Sequence, residues 1–144
     1  METLIKELNQ YLSDLAVFYR KLQNYHWNVK GSDFFVVHEK LEEYYNKIND
    51  QIDEVAEHIL TLNAQPLGTM KDYLETTTIA EAKNEIICST EIYKNIIKDF
   101  ETLLERVNQI KEEAEKEKQY SASSLIDGYI LEYSKILWML NQSI

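Results

Sequence analysis

Residues 1–31, METLIKELNQYLSDLAVFYRKLQNYHWNVKG, place apolar side chains at Leu4, Leu8, Tyr11, Leu15, Phe18, Leu22 and Tyr25. Steps of three and four residues stack side chains on one face of an α-helix. The stretch therefore reads as one amphipathic helix with a single apolar stripe. Its end is predicted between Val29 and Gly31, where Lys30 suits the carbonyl-rich terminus and glycine accepts backbone angles that other residues avoid. Ser32-Asp33 offers N-cap oxygens for a second helix. The apolar positions of that helix include Phe34, Phe35, Leu41, Tyr44, Ile48, Ile52, Val55, Ile59 and Leu62. The one Pro/Gly cluster of the chain, Asn63 to Gly68, stops it.

Thr69 to Glu75 predicts a short helix inside the connection. Thr76, Thr77 and Thr78 resist helix and are expected to cap the next one. Its apolar pattern runs from Ile79 through Ala82, Ile86, Tyr93, Ile96, Ile97, Phe100, Leu103, Leu104 and Val107. The Glu- and Lys-rich run Lys111 to Gln119 reads as a solvated helix end and loop. The break before the last helix falls between Ile110 and Ser121. That helix carries Leu125, Ile126, Tyr129, Tyr133, Ile136, Leu137 and Leu140. The expected fold is all-α: a four-helix bundle with a short extra helix in the connection between helices 2 and 3, and one domain over residues 1–144.

Composition supports this layout. Only 3 Gly and 1 Pro in 144 residues leave little material for the turns of a β-rich fold. The single cysteine, Cys88, rules out an intrachain disulfide and reads as a small buried hydrophobe. No basic-then-apolar leader opens the chain and no run of 18 apolar residues exists, so a cytoplasmic protein is expected, without membrane association. A formal charge of −10 repels nucleic-acid phosphate and anionic membranes and attracts metal cations.

No nucleophile-elbow serine, Gly-rich phosphate loop or zinc-finger cysteine spacing is present. What remains is histidine with carboxylate, the ligand set of iron, manganese and zinc sites. The histidines are His26, His38 and His58. A di-iron site inside a bundle needs Glu-x-x-His on two helices. The residues three before these histidines are Gln23, Phe35 and Val55, so that motif is absent. Helix 2 instead carries His38 with Glu42 one turn on, and Asp53 with Glu57 one turn on. The two pairs are fifteen positions apart, roughly 22 Å along a helix. They cannot meet within one straight helix. They can meet between two copies packed antiparallel about a two-fold axis crossing near Lys47 and Ile48. The same spacing also fits a solvated carboxylate face and a packed histidine, so spacing alone leaves the metal site open.

The stretch Tyr25-His26-Trp27-Asn28-Val29-Lys30-Gly31 is followed by Phe34-Phe35 and by His38 to Tyr45. Asp53-Glu54-Val55-Ala56-Glu57, Pro66-Leu67-Gly68-Thr69 and Lys135-Ile136-Leu137-Trp138-Met139-Leu140 come after it. This ordered series resembles the Dps proteins, the mini-ferritins of the ferritin-like superfamily, over nearly the whole chain. The resemblance implies a homododecameric shell with a ferroxidase centre between two subunits. His26, His38 and Glu42 would come from one chain, and Asp53 and Glu57 from the other. It implies Fe(II) as substrate, hydrogen peroxide as preferred oxidant, and ferric mineral stored in the cavity. Zinc or manganese would suit the same ligands. Trp27 beside His26 is either an electron donor to the site or a packing residue at the dimer contact. His58 lies about 100° around the helix from Glu57 and is expected at the surface or an interface.

Two departures from the family pattern stand out. Position 42 is often Asp and is Glu here. In the segment expected to line the iron-uptake pore, Ala122 to Ile126, an acidic position holds Ser124; Asp127, Glu115 or Glu117 would have to restore its charge. The basic terminal tail that DNA-binding members use has no counterpart, so direct DNA binding is not expected.

Overall fold

The computed structural model describes residues 1–144. Five helices follow in order: α1 (Glu2–Asn28), α2 (Phe34–Thr61), α3 (Met70–Thr76), α4 (Ser89–Lys116) and α5 (Tyr120–Asn141). The four long ones form the bundle, and α3 is the short helix expected in the crossover, capped by the Thr69 hydroxyl accepting from the Asp72 N–H. Short connections make α1 pair with α2 and α4 with α5 as antiparallel neighbours. No helix is long and apolar enough to cross a membrane.

The apolar stripes account for the packing. All seven stripe residues of α1 are buried, within one core cluster of 31 residues. Aromatic rings from all four long helices meet there. Phe100 of α4 lies edge-on to Phe18 of α1 and Tyr44 of α2, and 5.8 Å from Tyr133 of α5. Phe35 departs from the expected stripe and is 83% exposed. Adjacent helical residues point about 100° apart, so Phe34 and Phe35 cannot both face the core.

The third long helix begins at Ser89, ten residues later than the pattern from Ile79 predicts. The threonine triplet does not cap it. The buried Asp14 carboxylate of α1 instead accepts from the Thr77 hydroxyl at 2.8 Å and the Thr78 N–H at 2.7 Å. Further on, Ile87 bridges in parallel to Val29, with Lys30 N–H donating to Ile87 O and Ile87 N–H to Asn28 O. The segment is pinned to α1 at both ends and forms no helical turn. Cys88 ends this segment at the α4 N-cap and is exposed, not buried as its composition class suggested. The α4–α5 break, at Glu117 to Gln119, falls within the expected window.

Candidate metal centre

The turn after α1 decides where its last residues lie. Gly31 adopts φ +155°, and a Cβ there would meet Asp33 Oδ1 at 3.2 Å. The chain reverses within five residues and lays the second turn of α2 against the last turn of α1. His26 and His38, twelve apart in sequence, stack face to face with ring centroids 3.6 Å apart and planes 12° off parallel. Each ring bonds the other residue's backbone: His26 Nδ1–H donates to His38 O at 2.6 Å and His38 Nδ1–H to His26 O at 2.7 Å. A carbonyl oxygen only accepts, so the proton of each neutral imidazole is on Nδ1 and each Nε2 keeps its lone pair. This is the arrangement by which proteins orient metal-binding histidines.

Glu42 joins them, its Oε1 lying 3.8 Å from His26 Nε2. His26 is 5% exposed, whereas the Glu42 side chain is 53% exposed on the outer face of α2. Phe34 covers His38, with ring centroids 4.8 Å apart. Tyr45, to which the sequence attached no role, adds a hydroxyl that donates to Glu42 Oε1 at 3.3 Å. Its spacing of three from Glu42 is the one signal that could have found it.

Asp53 and Glu57 are exposed farther along the same unbroken helix. A hydrogen bond from Glu57 to Asp53, then the repulsion between the two charges, raises the Glu57 pKa above the ordinary glutamate value. A cation placed between two adjacent carboxylates relieves their mutual repulsion. The His26–His38–Glu42 cluster and this pair lie roughly 22 Å apart in one chain. No three His, Cys, Asp or Glu side chains of a single chain are disposed to enclose a metal ion. The chain thus carries the His26–His38–Glu42 cluster and the Asp53–Glu57 pair as two separate groups along α2. A cleft of about 630 Å³ between α1, α4 and the 80–88 segment is lined by Lys21, Tyr25 and Asp99 and by no residue of either group.

A ferritin-like domain model matches residues 5–144. Over 95% of the chain and 93% of the relative, the sequence is 39% identical to DNA protection during starvation protein 2 of Bacillus anthracis. The chain belongs to the Dps branch of the ferritin-like family. Dps structures superpose closely. A Dps protein from Vibrio cholerae O1, described as a member of a broad superfamily of ferritin-like diiron-carboxylate proteins, gives a TM-score of 0.94 at 36% identity, covering 98% of this chain and 88% of that one. Antigen TpF1 of Treponema pallidum gives 0.97 at 34% identity, covering 99% and 91%.

Three other residues with an open role can now be placed in this Dps chain. Trp27 is exposed, with the Arg20 guanidinium 5.8 Å from its ring, and lines a groove with Met70 and Leu74. His58, expected at the surface or an interface, is partly buried within the chain. Its Nε2 is enclosed without a hydrogen-bond partner, and burial lowers its pKa. Ser124 is exposed, and none of the three carboxylates expected to restore charge near it is free. Asp127 and Glu115 both pair with Lys111, at 2.8 and 3.4 Å, and Glu117 pairs with the N-terminal ammonium at 3.1 Å.

Proposed function

We propose that this Dps-family chain oxidises Fe(II) at a site shared between two copies and stores the ferric product inside a dodecameric shell in the cytoplasm. The observation that carries the reading is the reciprocal His26–His38 hydrogen bonding, which leaves both Nε2 atoms off the backbone and Glu42 Oε1 3.8 Å from His26 Nε2, in a chain whose α2 also carries the Asp53–Glu57 pair. Two antiparallel copies of α2, crossing near Lys47 and Ile48, would bring His26, His38 and Glu42 of one copy to Asp53 and Glu57 of the partner subunit.

The imidazoles and carboxylates would bind Fe(II). Hydrogen peroxide is the preferred oxidant in this reading. Two Fe(II) ions each give up one electron, peroxide takes both with two protons, and two waters leave without hydroxyl radical. The ferric ions then hydrolyse and mineralise. Zinc or manganese would occupy the same donors as redox-inert or slower competitors.

Stopped-flow absorbance of the iron-free protein, loaded anaerobically with Fe(II) and mixed with peroxide or air, tests this. Oxidation much faster than in buffer, faster with peroxide than with air, and ending in a soluble iron-loaded particle is expected. His26→Ala with Asp53→Ala should abolish the fast phase and leave the assembly intact. An unimpaired double variant would place the chemistry elsewhere. The curated relative's name speaks of DNA protection, and a shell without oxidation chemistry is the competing reading. Buffer-level rates with both oxidants would favour it.

A further inference from the structure

Glu42 is the least restrained donor of the site. It is exposed, it has several rotatable bonds, and the Tyr45 hydroxyl is its one hydrogen-bond donor within the chain. Tyr45 itself is well held. Its ring stands edge-on to His26, centroids 5.3 Å apart and planes at 80°, and edge-on to Tyr19, at 5.8 Å and 78°. Tyr19 is anchored in turn by accepting from Gln23 Nε2 at 3.1 Å. Edge-to-face rings at these separations attract, so two residues of α1 fix the orientation of a phenol on α2. That phenol donates to the same Glu42 oxygen that faces His26 Nε2.

We propose that Tyr45 is a positioning residue for the metal half-site: it holds the Glu42 carboxylate toward His26 Nε2 and so presents both donors to an incoming cation together. The inference rests on the metal-site reading above. A ligating carboxylate that is itself hydrogen-bonded loses less freedom when metal binds, and outer partners of this kind commonly change metal affinity by about 10–100-fold.

The test is a Co(II) titration of the purified assembled protein, followed by calorimetry and by the visible d–d bands. Tyr45→Phe keeps the ring and both edge contacts and removes only the hydroxyl. Its Co(II) affinity should fall about tenfold, with altered d–d bands and an unchanged thermal midpoint. Glu42→Asp shortens the arm by one methylene and withdraws the carboxylate from that hydroxyl. In the Glu42→Asp background, Tyr45→Phe should change affinity by no more than about twofold, because the interaction it removes is already gone. Wild-type Co(II) affinity in Tyr45→Phe, or an equal loss in both backgrounds, would overturn the positioning role. Absence of Co(II) binding by the wild-type protein would instead sink the metal-site reading on which the role rests.

Discussion

Replacing Tyr133 by Phe should destabilise the bundle far more than the loss of one oxygen suggests. Tyr133 is fully buried, and its hydroxyl bonds both to the Tyr11 hydroxyl and to Gln51 Oε1, each at 2.5 Å. Gln51 continues the chain by donating to Glu132 at 3.0 Å, so the network ties α1, α2 and α5 together. Removing the central hydroxyl leaves the Tyr11 oxygen and Gln51 Oε1 buried without a partner in the protein. At about 1–2 kcal/mol for each orphan, the cost is about 2–4 kcal/mol. At about 3 °C per kcal/mol, the thermal midpoint should drop by roughly 6–12 °C. Circular-dichroism melts at one fixed protomer concentration would measure it, since assembly makes the midpoint concentration-dependent. Tyr11→Phe supplies the control. Added to Tyr133→Phe it removes one of the two orphans, so the double variant should be no less stable than Tyr133→Phe alone. A Tyr133→Phe midpoint within about 2 °C of wild type, or additive losses in the double variant, would refute the reasoning.

Three further predictions concern charge, buried or net. Burial lowers the His58 pKa below its ordinary 6.5, so the unfolded chain binds more protons and stability falls as pH drops through that value; His58→Leu should flatten this part of a midpoint-against-pH curve, and parallel curves would contradict it. Lys21 and Asp99 form a nearly buried ion pair at 2.8 Å, and Lys21→Met, which leaves Asp99 unpaired, should cost about 3–5 kcal/mol in urea unfolding, while a change under 1 kcal/mol would show that water reaches the carboxylate. With a charge of −10 per chain, the protein should not retard DNA in a low-salt gel without divalent metal, and a shifted band there would reveal a basic surface that the charge balance hides.

Some parts of the molecule were legible because their cause is local. The α1 stripe, the short helix α3 and the Asn63–Gly68 stop are governed by helical period and backbone preference. The start of α4 was misjudged because its cause is remote. Thr77 and Thr78 are held by Asp14, more than sixty positions away, and Ile87 by the backbone of Asn28 to Lys30. No window of sequence around Ile79 contains those partners. Cys88 was misread for the same reason, since its exposure follows from where the pinned segment ends.

The candidate site divides along the same line. His38, Glu42, Asp53 and Glu57 share one helix, so spacing alone determined that they form two sets too far apart to meet in one chain. Only the tertiary structure decided that His26 stacks on His38, which tautomer both rings adopt, and that Tyr45 packs edge-on against His26 and Tyr19. Those relations depend on the Gly31 turn closing α2 onto α1. The tertiary structure likewise decided that Glu117 and Asp127 are matched by cations, because the N-terminus and Lys111 reach them across helices, whereas Glu115 meets Lys111 one turn away on α4. Sequence determines what lies on one helix face, because a helix repeats with a fixed period. What lies between helices depends on the angles of a few turns, and those follow from packing the whole chain.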